Sequence, residues 1–270
     1  LQRAKTIINV DIVDPDLDAL NRVSELAKVR RCTRDLTDDL LASAGAIIIA
    51  TPSSTHASLL RTISQVCQNK TIVICEKPLV TSEKDLSLLE ALTSDFKSKV
   101  FVNYSRRWSS DHIELKTIIE QKKYGNLNFV SCIYDKGFQH NGVHLIEYLQ
   151  SLFGEQIVTK WIGNPIFDHG PKNPTVSLNL VCGSTPVFII GNDARNYSIF
   201  ELKFYFEEAT IALTDSGRLI ETETKKPHHT YSDYTVLAKS SSKKSDLLCS
   251  LDNLYSYIFL NDGIANFHQA

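Results

Sequence analysis

Methionine is absent from all 270 residues, the first position included. The chain opens instead on Leu1-Gln2-Arg3-Ala4-Lys5, which reads as the tail of a helix. Residues are therefore expected ahead of Leu1, and modified methionines within. Also missing is any G-x-G-x-x-G among the eleven glycines. The six cysteines are scattered, with no C-x-x-C pair. That spacing argues against a disulfide framework or a zinc site and suits reduced thiols, so a cytoplasmic location is expected. No apolar run approaches the roughly 20 residues of a membrane-spanning helix, and no signal peptide is visible. A net charge of −2 leaves no electrostatic footprint for nucleic acid or an anionic membrane.

What is present is ordinary in bulk: 43% hydrophobic and 22% charged residues, typical of a globular protein of one or two domains. The order of elements is more telling. Thr6 to Val13 reads as a strand ending in Asp14-Pro15-Asp16, and Asp16 is placed to cap a helix carrying Leu17, Leu20, Val23 and Leu26. A short helix over Leu36 to Ser43 and a buried strand over Gly45 to Ala50 follow. Thr51-Pro52-Ser53-Ser54 then turns the chain into a helix with Leu59, Leu60, Ile63 and Val66. Thr71 to Cys75 is a β-branched apolar run of the kind buried on both faces of a parallel sheet, and it stops abruptly at Glu76-Lys77-Pro78. Ser82 with Asp85 resembles a capping box, and Val100 to Tyr104 makes another strand.

Strand and helix thus alternate to about residue 105, the pattern of a doubly wound parallel sheet. After a helix with Ile113, Leu115, Ile118 and Ile119 the grammar changes. Leu127 to Tyr134, Thr175 to Val181, Val187 to Gly191, Glu201 to Phe206 and Ala209 to Thr214 read as strands of a mostly antiparallel sheet. One helix, Val143 to Phe153, interrupts them and stops at Gly154. Turns are expected at Gly183-Ser184 and Ser216-Gly217, a polar loop over Ser240 to Ser245, and a last helix over Asp246 to Leu260. The fold class is therefore a Rossmann-type α/β domain over 1–108, followed over 109–270 by an α+β domain with a large, mostly antiparallel sheet.

Ligands of open α/β sheets sit beyond the carboxyl ends of the strands, which is where Lys77 falls, with Pro78 stiffening its turn. The alternative for Lys77 is a solvated strand stop. Asp14 ends what looks like the second strand of a nucleotide fold, where an acid accepts hydrogen bonds from the adenosine ribose of NAD and repels the extra phosphate of NADP. The glycine-rich loop would follow the first, central strand of such a sheet. Without that strand, the strands starting at Thr6 and Gly45 have no common neighbour, so its absence reads as a segment missing from the sequence. Gln139-His140-Asn141-Gly142-Val143-His144, with Glu147 one turn on, admits three readings. They are metal ligands at His140, His144 and Glu147, a plain helix start, or a general base at His144. Gly142 and the lack of an HExxH glutamate weigh against the metal, so none is expected.

Ala50-Thr51-Pro52-Ser53-Ser54-Thr55-His56, Glu76-Lys77-Pro78, Asn103-Tyr104-Ser105-Arg106-Arg107 and Gly142-Val143-His144-Leu145-Ile146-Glu147, in this order, resemble the glucose–fructose oxidoreductase / inositol dehydrogenase (Gfo/Idh/MocA) family over nearly the whole chain. The resemblance implies an N-terminal NAD(P)-binding domain and a C-terminal sheet domain that shapes the substrate pocket and often the oligomer interface. It also implies a cis bond before Pro78. Carried over, the catalytic set is Lys77 and His144, with His140 standing where the family often has an aspartate. Asp14, Ala50, Thr51, Pro52, His56, Glu76 and Lys77 would line the cofactor, NAD rather than NADP. Lys77, Arg106, Asn141 and His144 would meet the substrate, Arg107 being the alternative to Arg106 at the site mouth. The histidine at 140 cannot supply an aspartate's negative charge, so Asn141 or Glu147 is expected to orient His144 instead.

The function implied is an NAD(P)-dependent dehydrogenase or reductase acting on a CH–OH group of a sugar, nucleotide sugar or cyclitol. A non-catalytic NAD- or sugar-sensing regulator on the same scaffold is the alternative. Trp108, Tyr134, Lys136 and Gln139 are further candidates for the substrate side. An uncovered sheet face calls for a partner, so a homo-oligomer, dimer or tetramer, is expected.

Overall fold

Asp16 is the helix cap the sequence assigns to it: its carboxylate accepts the N–H of Asp18 at 2.8 Å and opens helix α1, Leu17–Ser24. In the computed structural model, which describes residues 9–26, 29–67, 71–97, 99–154, 156–231 and 233–260, α1 links two parallel strands. These are β1 (Val10–Val13) and β2 (Val29–Thr33). The front of the expected Thr6 strand and the Leu1–Lys5 helix tail lie outside the described residues. Next come α2 (Asp38–Ser43), β3 (Ala46–Ile49), α3 (His56–Val66), β4 (Ile72–Glu76), α4 (Glu83–Glu90), α5 (Ser94–Lys97) and β5 (Val100–Asn103). Strands β3, β4 and β5 form a second parallel sheet in that order. Among the described residues β1 and β3 each pair with a single strand, so the two sheets share none.

Burial explains why β4 is so apolar. Val73 and Cys75 are fully buried against Leu60 and Ile63 of α3, Leu89 of α4 and Phe96 of α5. Truncating one such side chain to alanine typically costs about 2–5 kcal/mol. Ser82 caps α4 by accepting the N–H of Asp85 at 3.2 Å, while the Asp85 carboxylate takes the Thr81 N–H and hydroxyl at 3.0 and 2.8 Å.

The second unit begins with α6 (Ser110–Glu120), β6 (Leu127–Tyr134), α7 (Val143–Phe153), β7 (Gln156–Ile166), β8 (Thr175–Cys182) and β9 (Thr185–Gly191). It continues with β10 (Phe200–Phe206), β11 (Ala209–Thr214), β12 (Leu219–Pro227) and β13 (Thr235–Lys244), and α8 (Ser250–Leu260) begins at its end. The eight strands lie in the order β13-β12-β11-β10-β6-β9-β8-β7, antiparallel except for the β6–β9 pair. One face packs on α6 and α7, with Leu115, Leu145, Leu149 and Leu152 against Val130, Cys132, Leu178, Val187, Ile189 and Phe204. Alternation sends Phe188 and Ile190 to the other face, where they are 41% and 50% exposed. There Phe129 stacks on Tyr205 at 4.2 Å and meets Phe188 edge-on at 6.0 Å.

Several expectations are corrected. Strands β2, β7, β12 and β13 and the short α5 have no counterpart in the sequence reading. The supposed Ser240–Ser245 loop is the end of β13 as far as Lys244, where Ser241 and Ser242 pair with Thr222 and Glu221. The last helix starts at Ser250, after a 3-10 turn at Leu247–Cys249. Among the described residues, 9–104 and 254–260 form one compact unit and 105–253 the other.

Candidate functional site

In the first unit, the chemistry-bearing residues gather at the carboxyl ends of β3, β4 and β5. β4 runs out at Glu76, and the Lys77–Pro78 peptide bond is cis. Glu76 Oε1 accepts the amide of Asn103, the last residue of β5, at 2.6 Å. His56, at the start of α3, is only 1% exposed. Its Nδ1 lies 2.8 Å from the carbonyl oxygen of Pro78 and its Nε2 lies 2.9 Å from that of Thr51. One imidazole therefore braces the turn after β3 against the turn after β4, so His56 shapes the edge rather than presenting itself to a ligand. Ala50, Thr51 and Pro52 are exposed along that edge, and Lys77 is half-buried. Thr51 Oγ1 lies 2.7 Å from Thr55 Oγ1, which donates to Pro52 O at 2.8 Å, so the turn closes on itself. Asp14 follows β1; its Oδ1 accepts the N–H of Asp16 at 2.8 Å, and Arg34 Nε donates to the neighbouring Pro15 carbonyl at 3.2 Å.

In the second unit, α7 begins with a π-helical turn over Phe138–Gly142, a wide turn often found at functional sites. Phe138 stands close to the Gly142 Cα: a Cβ on Gly142 would fall 2.7 Å from the Phe138 ring, so only glycine fits. His144 is half-buried in the first turn of α7, and His140 is exposed with its ring stacked on His169 at 4.7 Å. Asn141, expected to meet substrate or orient His144, donates its amide to Asp135 at 3.3 Å. Glu147, the other expected orienter, pairs with Arg107 at 3.1 Å. Burial pushes the Glu147 carboxyl up to about 7 against the pull of that guanidinium.

Arg106 is engaged by partners of its own unit. Its guanidinium lies 4.0 Å over the Phe200 ring and donates to Ser216 O at 2.8 Å, and burial lowers its pKa to about 10. It anchors the β11–β12 turn, where Asp215, Ser216 and Gly217 all have positive φ. Tyr134 is likewise structural: it is fully buried, its hydroxyl donating to Val176 O and accepting from Val176 N, each at 3.0 Å.

Two aspartates absent from the sequence reading organise this end of the sheet. Buried Asp135 accepts the N–H of Ile199 at 2.7 Å and the hydroxyl of Ser198 at 3.3 Å. Asp168 accepts the Lys136 and Ala194 N–H groups at 2.9 and 3.1 Å and the Thr175 hydroxyl at 2.7 Å. Burial alone would raise the Asp168 pKa, but these hydrogen bonds together hold it below the ordinary value. Three loops are thereby tied together: that before α7, that between β7 and β8, and that between β9 and β10. An aspartate just after a strand is a weak sequence signal, and apart from Asn141 and Thr175 the partners named lie more than 25 residues away. Among the described residues no group of three His, Cys, Asp or Glu side chains is placed to hold a metal ion. Nor is any described helix long and apolar enough to cross a membrane.

Residues 2–104 match the Gfo/Idh/MocA model, described as an oxidoreductase family with an NAD-binding Rossmann fold. Inositol 2-dehydrogenase of Mycolicibacterium gilvum is 26% identical over 147 residues, covering 50% of this chain and 41% of its own. Inositol 2-dehydrogenase 4 of Saccharopolyspora erythraea is 27% identical over 183 residues, covering 65% of this chain and 52% of its own. The chain thus spans about half the length of the curated relatives it matches. Among solved structures, a myo-inositol dehydrogenase from Corynebacterium glutamicum superposes with a TM-score of 0.63 at 15% identity, covering 83% of this chain and 72% of that one. The WlbA dehydrogenase from Chromobacterium violaceum, in complex with NADH and UDP-GlcNAcA, gives 0.66 at 18% identity, covering 82% and 70%. At such identities the likeness speaks for the fold alone, and that fold extends over both units. The first unit thus matches the model of the Gfo/Idh/MocA oxidoreductases, and the chain is similar in fold to these dehydrogenases.

Proposed function

We propose that this protein is an NAD-dependent oxidoreductase that moves a hydride between nicotinamide and a hydroxyl-bearing carbon of a sugar, nucleotide sugar or cyclitol. The observation that carries the reading is Lys77. A cation sits at the carboxyl end of a buried parallel strand, in a turn braced by His56, on the edge where ligands of open α/β sheets bind. The residues along that edge suit a dinucleotide in part. Asp14 offers a carboxylate to the adenosine ribose, and Thr51 and Pro52 an exposed turn to the cofactor. Contacts to the pyrophosphate are assigned to no residue of this sequence.

Bound NAD would supply the hydride chemistry. The chain's own residues manage the hydroxyl. His144 takes its proton as general base, which suits an imidazole near neutral pH. Lys77 places positive charge beside the oxygen as it becomes an alkoxide. Glu147 is committed to Arg107, and so acts on α7 as an anchor. The acid at Asp14 favours NAD over NADP. The inositol 2-dehydrogenases among the relatives support a cyclitol or sugar as substrate class.

The test is NADH formation by wild type and by His144→Ala and Lys77→Ala over a panel of cyclitols, sugars and nucleotide sugars. Each substitution is expected to lower kcat by about 100-fold or more while NAD affinity stays within about threefold. Undiminished turnover in His144→Ala removes it as the base. Failure of the wild type to turn over any member of the panel overturns the reading.

A further inference from the structure

Arg106 and Arg107 are adjacent, yet they differ in what answers their charge. Arg107 meets Glu147 at 3.1 Å. The Arg106 guanidinium lies 4.0 Å over the Phe200 ring and gives a single hydrogen bond, from Nη1 to Ser216 O at 2.8 Å. No carboxylate among the described residues pairs with it. Burial lowers its pKa to about 10, which leaves it fully charged at neutral pH. A charge drawn out of water needs a partner to replace its hydration. A ring face attracts the cation but does not neutralise it.

A hollow of about 20 Å³ opens at this guanidinium, lined by Arg106, Ser109, Asp111 and Tyr148 with Leu202 and Leu213. We propose that it is an anion site, holding one halide-sized ion between Arg106 and the Tyr148 hydroxyl. Tyr148 is buried on α7, and its hydroxyl has no hydrogen bond among the described residues. Burial pushes the pKa of that phenol up, so it keeps its proton to donate. Ser109 Oγ accepts the N–H of His112 at 3.2 Å and has its own proton to add. Asp111, the carboxylate on the wall, is engaged elsewhere. Its Oδ1 meets Lys243 Nζ at 2.9 Å, and its Oδ2 accepts the N–H of Asp246 at 2.9 Å.

Volume and lining set the ligand class. A space of this size takes one water-sized particle. Chloride or bromide fits, whereas sulfate, phosphate and an organic carboxylate carry more atoms than the hollow holds. Leu202 and Leu213 keep the surroundings apolar, which strengthens the attraction between ion and guanidinium. The bound ion would link the 3-10 turn of Arg106, Ser105–Trp108, to α7, the helix that carries His144. The hydrogen bond from Arg106 to Ser216 extends that tie to the turn after β11.

The test is chlorine NMR line broadening and thermal melting of the full chain, with chloride or bromide replacing gluconate at constant ionic strength. Wild type should show broadening that saturates and is competed by bromide. Its melting temperature should rise by about 2–4 °C at ~200 mM halide. Tyr148→Phe keeps the ring in the core and removes only the hydroxyl, so halide affinity should fall about 5- to 10-fold. Arg106→Gln removes the charge and should abolish saturation; should that variant not fold, Tyr148→Phe still decides. A lack of saturable broadening in wild type means that water satisfies Arg106, and overturns the site. Unchanged affinity in Tyr148→Phe places the ion elsewhere and overturns it as well. So does competition by sulfate equal to that by bromide, since a hollow of this size excludes sulfate.

Discussion

Asp14 and Asp16 lie two residues apart and have separate tasks. Asp16 spends its carboxylate on the first turn of α1, whereas Asp14 follows the end of β1 with one oxygen held by the Asp16 N–H. Arg34 donates its Nε to the carbonyl of Pro15, the residue after that acid, and an arginine near this strand end is what accommodates the 2′-phosphate of NADP. Asp14→Ser is therefore expected to raise the NADP/NAD ratio of kcat/KM by about 10- to 100-fold, since it removes a repulsive charge and leaves the cation. Adding Arg34→Ala should abolish most of that gain. An unchanged ratio in Asp14→Ser would show that the acid is not on the ribose. The sequence separates the two aspartates because helix capping is a local rule. It does not separate Arg106 from Arg107, which are adjacent on a 3-10 turn and point to different partners, Phe200 with Ser216 O and Glu147.

Helix α7 shows how an element's position is held and how that hold responds to pH. Glu147 is fixed to Arg107 in a mostly buried pair, and burial raises its pKa from an ordinary 4.5 to about 7. The folded protein thus keeps a proton on Glu147 at pH values where the unfolded chain has lost it. Below about pH 4.5 both states are protonated and the group is neutral in the balance. Between about 4.5 and 7 stability falls as pH rises, and above 7 the full penalty, on the order of 3 kcal/mol, is in place. Glu147→Gln keeps a hydrogen-bonding side chain for Arg107 and removes the titration. Relative to wild type it should gain about 1–3 kcal/mol in denaturant melts between pH 5 and 7.5. A constant difference across that range would mean that Glu147 is ionised throughout. The bounds of α7, β6 and β11 are legible in the sequence to the residue, because each has a strong apolar period and a clear stop. β2, β7, β12 and β13 are not. β2 carries Arg30 and Arg31, both paired with Asp11. β7 holds Gly163 and Pro165 and two irregularities of register. β13 is exposed along nearly its whole length, so its pairing with β12 leaves no apolar alternation to read. In the site, Asp135 and Asp168 were hidden for a related reason: nothing local marks them, and their roles come from loops the fold brings together.

For the molecule as a whole, the face of the eight-stranded sheet opposite α6 and α7 exposes apolar side chains among the described residues, Phe188 and Ile190 with them. Strands spaced about 4.8 Å apart and some seven residues long make a face on the order of 800 Å², one side of a standard-sized protein interface. Its middle is aromatic, the row Tyr205–Phe129–Phe188 running across three neighbouring strands, with Ile190 beside it. Toward β12 and β13 its charges are already paired, Lys203 with Glu223 at 2.9 Å and Lys239 with Glu221 at 2.7 Å. A face with an apolar centre and internally neutralised flanks can meet its own copy without setting like charges against each other, which suits the isologous contact of a two-fold dimer. Ile190→Asp should break that contact without disturbing the core, because alternation points the side chain away from it. The dimer is expected to dissociate at least about 100-fold more readily in sedimentation at micromolar protein, with far-UV circular dichroism and melting of the monomer preserved. A wild type that sediments as a monomer at tens of micromolar, or a variant that stays dimeric, would place the partner elsewhere. Comparing kcat between the separated variant and wild type then decides whether the assembly serves stability alone or also the chemistry of each site.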